Sequence, residues 1–186
     1  MTKSDFKAEL SKYKLLFTSI VSALILSLLF WQHFHDGVPS HYILQNKDLP
    51  EISNWWGGLL LPALTWLLLS RVEKRINKKE SESDKEALLS VLKLLIIGLV
   101  FGLLLAISFT NDYKPFLDNV LYILLILCLI IPIYYSEFIL GFVLGMTYTF
   151  GAILPTAFVL IMAGIGFLLF TLIRPLFVKL FKSLKK

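Results

Sequence analysis

Six long apolar runs separated by short polar segments constrain the fold of this chain more than any other feature. They cover residues 15–31, 55–70, 88–109, 120–135, 138–154 and 156–173. A helix needs roughly 20 apolar residues to cross a bilayer, where its backbone groups must be satisfied within the segment. With 57% hydrophobic and 17% charged residues, the chain has too few polar side chains to cover a water-facing surface. We therefore predict an all-α, polytopic integral membrane bundle, a single domain of about six transmembrane helices.

The boundary between the fourth and fifth runs depends on a short polar turn. Residues 120–154 are apolar for too long to make one crossing, and the sequence between them contains Pro132 followed by Tyr134, Tyr135, Ser136 and Glu137. Proline disfavours helical geometry in the residue before it. Two full crossings are predicted here, with a re-entrant pair as the alternative.

The distribution of Lys and Arg predicts the orientation of the chain. Sixteen of its eighteen basic residues precede the first run, lie at 71–93 or follow residue 173, whereas the alternate segments carry only Lys47 and Lys114. Basic residues accumulate on the cytoplasmic side of membrane proteins. We expect both termini in the cytoplasm of a plasma membrane of the bacterial inner-membrane type. The net charge of +5 then reflects topology, and no nucleic-acid partner is predicted.

Three polar segments connect or follow the spans. Residues 32–54 form a predicted extracytoplasmic loop, and residues 71–87 a charged cytoplasmic loop that reads as a solvated extension of its flanking helices. Residues 174–186 alternate apolar side chains with lysines at helical spacing. This basic amphipathic tail is predicted to lie on anionic inner-leaflet lipids.

Small residues four positions apart mark the predicted contact faces of the helices, because close backbone approach drives helix association in lipid. The pattern Ile-x-Gly-x-Val-x-Gly occurs twice, at 96–102 and at 139–145. We interpret it as a packing motif of a compact bundle, with contact to a second copy or a membrane partner subunit as a further possibility. The predicted contact residues are Ser19, Ala23, Ser27, Gly98, Gly102, Gly141 and Gly145.

All three histidines of the chain fall within the segment 33–41, beside one aspartate. His33, His35, Asp36 and His41 could together hold a transition metal such as zinc, or exchange protons near neutral pH. Gly37 would end the first helix and Pro39 would reverse the chain, which could bring His41 back. The alternative is a wet interfacial loop in which the histidines only form hydrogen bonds.

Two further groups of residues are candidates for ligand or acid–base chemistry. Asn54, Trp55 and Trp56 open the second run, where Ser53 or Asn54 is a natural N-cap. The paired indoles could form a pocket wall within an ordered cap spanning residues 31–56, or simply belong to the interfacial aromatic belt. Elsewhere, Glu137 is expected to be a solvated turn acid, and Thr147 and Tyr148 could line a polar path or bond back to their own helix.

The sequence supports three functional hypotheses. The first is a membrane protein that binds or passes a small molecule, an ion or a lipid, with a recognition site at the outer face. The second is a membrane-embedded enzyme using the histidine and aspartate cluster, and the third is a structural subunit of a membrane complex. No haem-binding histidine pair, Gly-x-Ser-x-Gly, His-Glu-x-x-His or phosphate-binding glycine loop occurs. The first hypothesis is preferred.

The charge asymmetry makes a direct prediction about topology. A cysteine placed at position 3 or 183 should not react with a membrane-impermeant thiol reagent added to intact cells, because both termini should face the cytoplasm. Labelling of either site from outside would contradict the orientation.

Overall fold

The computed structural model describes residues 3–42, 46, 48, 50–78 and 84–176, and this part of the chain is all-α apart from one small β-ribbon. The basic tail beyond Leu176, Lys47 and residues 79–83 of the charged loop lie outside the described residues. The elements, in chain order, are α1 (Lys3–Phe34), β1 (Ser40–Tyr42), β2 (Glu51–Ser53), a 3-10 turn (Asn54–Trp56), α2 (Gly57–Lys78), α3 (Asp84–Thr110), α4 (Lys114–Leu117), α5 (Val120–Ile130), α6 (Ser136–Phe150), α7 (Ile153–Leu168) and a π-helical turn (Leu169–Ile173).

The six longer helices alternate in direction between two ends of the bundle. At the end that carries the β-ribbon, Gly58 meets Leu29, Asn54 meets Gly151, and the rings of Phe109 and Phe150 lie 4.6 Å apart. We call this the ribbon end. We call the opposite end, where α1 and α3 begin and α2 and α7 finish, the basic end. Both described chain ends therefore lie on the same side of the bundle.

Among the residues that the structure describes, three helices are long and apolar enough to cross a membrane, rather than the six predicted. They are Asp5–Phe34, Asp84–Thr110 and Ile153–Leu176. The fourth run ends early because Ile131 is already extended (φ −124°, ψ 151°) ahead of Pro132, which leaves α5 with 11 residues. Helix α6 has 15 residues, a rise of roughly 22 Å against a hydrocarbon core of about 30 Å. Helix α2 becomes charged from Arg71 onward.

Helix α6 is short but forms the centre of the bundle, where α2, α3 and α7 pack against it. Most of its side chains are buried, among them Phe138, Leu140 and Phe142, each with 0% of its surface exposed. A helix that is apolar on every face and surrounded by other helices does not need to match the bilayer thickness alone. The neighbouring helices α3 and α7, which pack against α6, are long enough to cross the membrane.

The contact between α3 and α6 is a backbone contact made by four glycines. A Cβ atom on Gly98 would overlap the carbonyl oxygen of Phe138, and one on Gly102 would lie 2.5 Å from that of Phe142. The contact advances along both helices in the same direction, so α3 and α6 are parallel. These are the glycines that the four-residue spacing led us to expect at a helix contact.

The reciprocal side of this contact has the same form. A Cβ on Gly141 would overlap the carbonyl oxygen of Leu95, and one on Gly145 would lie 2.5 Å from that of Leu99. The two Ile-x-Gly-x-Val-x-Gly segments thus pack on each other, each placing its glycines against the other's carbonyls. The repeated pattern reflects one quasi-symmetric interface within a single chain.

The predicted contact face of α1 is wrong. Ser19, Ala23 and Ser27 are exposed, and α1 instead packs against α2 through a larger stripe that includes Ile25 and Leu29. The small residues of this interface lie on the other helix: a Cβ on Gly58 would come 3.0 Å from Leu29 Cδ1. Large side chains on α1 fit into space left by glycine on α2.

The glycine contact makes a prediction about stability. Gly102→Ala should lower the free energy of unfolding by about 1–3 kcal/mol, because the added methyl overlaps a main-chain oxygen that cannot rotate away. Gly164→Ala is the matched control, since a Cβ there meets nothing within 4 Å and alanine favours the helix.

Both variants would be measured by reversible unfolding in the same detergent micelles. An equal free energy of unfolding for Gly102→Ala and Gly164→Ala would contradict the backbone contact.

Candidate functional site

The loop between α1 and α2 folds into a small cap at the ribbon end. Helix α1 ends at Gly37, which has φ +85° and donates its backbone N–H to the carbonyl of Gln32 at 2.9 Å. The chain then forms an antiparallel β-ribbon in which His41 pairs with Ile52. Ser53 caps the next turn by accepting from the Trp55 N–H. The Gly37 reversal was predicted, whereas the ribbon was not.

The four predicted metal ligands do not converge. His33 lies edge-on to Trp55 with ring centroids 5.8 Å apart, whereas His35 stacks on Trp31 at 4.6 Å. His35 lies in the turn just after α1, with its Nδ1 atom 2.8 Å from the carbonyl oxygen of Trp31, so the two rings have different partners. Asp36 is exposed, and His41 turns instead toward Phe150. Within the described ranges no three His, Cys, Asp or Glu residues could hold a metal ion, so the zinc prediction does not fit.

His41 lies over a narrow cleft between the cap and the turn that joins α6 to α7. Its Nε2 atom is buried and has no hydrogen-bond partner. Burial lowers the pKa of the His41 imidazole below its ordinary value, so the ring is neutral at pH 7. The cleft is lined by His41, Ile52, Ser53, Asn54, Gly57, Phe150, Ala152, Ile153 and Leu154.

Asn54 joins the cap to the end of α6. Its side chain is buried against Gly151, whose φ of +68° and lack of a Cβ let the backbone approach; a Cβ there would overlap Asn54 Oδ1. Sequence reasoning identified Asn54 but gave no reason to connect it to Gly151. The connection depends on a tertiary contact between segments almost one hundred residues apart.

The other predicted site residues near this cleft do not line it. Trp55 and Trp56 are exposed and do not line the cleft, which agrees with the aromatic-belt interpretation. Thr147 donates its hydroxyl to the carbonyl of Val143 at 2.7 Å, and Tyr148 is 71% exposed. A polar path along this turn of α6 is therefore not formed by these two residues, because one bonds back to its own helix and the other points outward.

A second polar site occupies the basic end of α6. Glu137 is 1% exposed, so the prediction of a solvated turn acid is wrong. Its Oε1 accepts from Arg75 Nη2 at 2.5 Å, while its Oε2 is buried without a hydrogen-bond partner. The Arg75 guanidinium also lies 4.1 Å from the ring centroid of Tyr135. The pair ties α2 to the start of α6.

Sequence reasoning missed Arg75 because it was assigned to a solvated loop. The missed signal is the helical period of α2, in which buried Val72 and Ile76 continue the core face past the last apolar run. Glu73 on the same turns binds Lys14 of α1 at 2.7 Å. Residues 71–78 and 84–87 of the charged segment are helical, as predicted, but Glu73 and Arg75 contact neighbouring helices.

Comparison with protein-family models, curated proteins and solved structures found no match to this chain. A function can therefore be inferred only from the two polar clusters of the structure, one at each end of the bundle. The ribbon-end cleft contains an unpartnered ring nitrogen beside apolar walls. The basic-end pair is an ion pair whose carboxylate is buried and which links α2 to α6.

The buried pair predicts a non-additive effect on stability. Arg75→Met should destabilise the protein by about 3–5 kcal/mol, because Glu137 is left buried without its cation. The double variant Arg75→Met with Glu137→Met should recover most of that loss. Arg71→Met, which removes an exposed arginine one turn away, is the control and should change stability by less than about 0.5 kcal/mol.

Unfolding of the wild type, Arg75→Met, Glu137→Met and the double variant in a zwitterionic detergent gives the coupling energy between the two side chains, with Arg71→Met measured beside them. Equal losses for Arg75→Met and Arg71→Met would contradict the buried pair.

Proposed function

We propose that this chain is a multi-pass membrane protein that binds a small molecule at its ribbon end, between the β-ribbon and the turn from α6 to α7. One observation carries the proposal: His41 Nε2 is buried in the cleft without a hydrogen-bond partner. Buried polar atoms in native proteins are nearly always satisfied, so an unpartnered ring nitrogen indicates a missing hydrogen-bond partner. A bound molecule with a hydroxyl or amine group would supply it.

The lining of the cleft defines the chemistry of the ligand. Phe150 and Ile52 offer apolar surface, and the Asn54 amide offers a second polar contact beside His41. Sites for small molecules commonly combine apolar walls with a few placed polar groups. The ligand that fits is small and mostly apolar, with one hydrogen-bonding group directed at the imidazole. By the charge asymmetry, we expect the ribbon end to face the outside of the cell.

Entry of a ligand requires the ribbon to move, because the cleft is too tight to admit a sphere the size of a water molecule. The ribbon has two strands of three residues each, and an isolated two-stranded ribbon is only marginally stable. Lifting it is therefore a small local opening rather than unfolding of the bundle. The proposed role is recognition at the surface, without a passage through the core.

The proposal predicts that His41 retains a compound during purification. Wild-type protein and the variants His41→Leu and His35→Leu would be purified into lipid nanodiscs and denatured, and the released small molecules identified by mass spectrometry. His35 is the matched control because it lies outside the cleft. The wild-type and His35→Leu proteins should release the same compound, and His41→Leu at least tenfold less of it.

Acid should release the same compound. Since burial lowers the pKa of His41, protonation is resisted at pH 7 and occurs only as the pH falls below the ordinary value of about 6.5. The protonated ring has no acceptor nitrogen and carries a charge into the cleft, which favours an open ribbon. No compound specific to the wild type, or equal retention by His41→Leu, would contradict the proposal.

A further inference from the structure

A cationic side chain without a carboxylate partner lies at the far end of the α7 segment. Arg174 follows the π-helical turn, its side chain is exposed, and its guanidinium lies 4.3 Å from the centroid of the Phe170 ring. No carboxylate within the described part of the chain comes within salt-bridge distance of it. Stacking on Phe170 fixes the plane of the guanidinium and leaves its N–H edges available.

Aromatic rings connect Arg174 to Arg75 across the basic end. Phe170 meets Tyr134 edge-on with centroids 5.8 Å apart, and Tyr134 meets Tyr135 at 5.0 Å. Arg75 lies over the other side of this tyrosine pair, on Tyr135. The two arginines therefore flank Tyr134 and Tyr135, and the π-helical turn is the segment that presents Phe170 to them. Turns of this kind are frequent at functional sites.

The charge around this tyrosine pair is positive. Arg71 and Lys78 lie one turn before and one turn after Arg75, on the same face of α2. Among the described residues, the carboxylate bound to this group is that of Glu137, which is buried and paired with Arg75. Tyr134 lies between the two arginines, with its ring against Phe170. We call Arg71, Arg75, Lys78, Tyr134 and Arg174 the basic-end cluster.

We propose that the basic-end cluster binds the phosphate of an anionic phospholipid headgroup, with Arg174 as its main contact. The guanidinium matches phosphate oxygens through paired N–H donors. The apolar side chains beside Arg174 identify a lipid as the occupant rather than a free phosphate: Leu172 and Leu176 are 62% and 67% exposed. Both belong to a candidate membrane span that ends at Leu176, and the acyl chains of a lipid bound there would cover them.

This inference is independent of the proposed function, since it concerns the opposite end of the bundle. The test is native mass spectrometry of the full chain released from nanodiscs of equal parts phosphatidylglycerol and phosphatidylcholine. The wild-type protein should retain phosphatidylglycerol over phosphatidylcholine by roughly tenfold. Arg174→Gln should reduce that preference to near unity, and Arg174→Lys should restore part of it.

Lys85→Gln is the matched control, because it removes an exposed charge from α3 at the same end of the bundle. It should leave the preference unchanged, and all variants should melt at the wild-type temperature in pure phosphatidylcholine. The proposed site would be overturned if Lys85→Gln lost as much of the phosphatidylglycerol preference as Arg174→Gln, or if Arg174→Gln kept the full wild-type preference. Displacement of the lipid by millimolar inorganic phosphate would overturn the assignment to a lipid headgroup.

Discussion

The backbone contact between α3 and α6 is the interaction on which the rest of the structure depends. Gly98 and Gly102 receive the carbonyls of α6, and Gly141 and Gly145 receive those of α3. Inside a bilayer the hydrophobic effect adds little between helices, so a contact that brings two backbones together supplies dispersion energy that bulkier helices cannot obtain. It also explains how α6, too short to span alone, is held at the centre of the bundle.

Each end of α6 is then fixed by a polar contact from a different part of the chain. At the ribbon end Asn54 lies against Gly151, and at the basic end Arg75 binds Glu137. Both partners flank or belong to α2, so α2 spans the buried helix from one polar contact to the other. The cleft under His41 and the basic-end cluster are the surfaces beside these two contacts. Both proposed binding surfaces therefore lie at the ends of α6, beside the polar contacts that hold this buried helix.

The sequence predicted the helical class, the glycine contact and the Gly37 reversal, because each follows from local pattern or spacing. It did not predict which runs fall below spanning length: Pro132 was expected to mark a turn between two full crossings, whereas α5 already ends at Ile130 with 11 residues. It also placed Ser19, Ala23 and Ser27 at a contact that Ile25 and Leu29 make instead. The links of Arg75 to Glu137 and of Asn54 to Gly151 join distant segments, and no periodicity in one segment indicates its partner in another. Metal binding failed for a local reason, because the rings of His33 and His35 pack against different tryptophans, Trp55 and Trp31.

The most direct test of this account measures the α3–α6 contact in an unmodified protein. A Cβ on Gly102 would lie 3.3 Å from the Cα of Gly145, so the two α-carbons are close enough for a short-range carbon–carbon correlation. Solid-state NMR of protein in lipid bilayers, with carbon-13 label in glycine, would record it. The account predicts a strong through-space cross-peak between Gly102 Cα and Gly145 Cα. Its absence, in a spectrum that resolves both signals and the Gly57–Gly58 neighbour peak, would contradict the parallel glycine contact and the central position of α6.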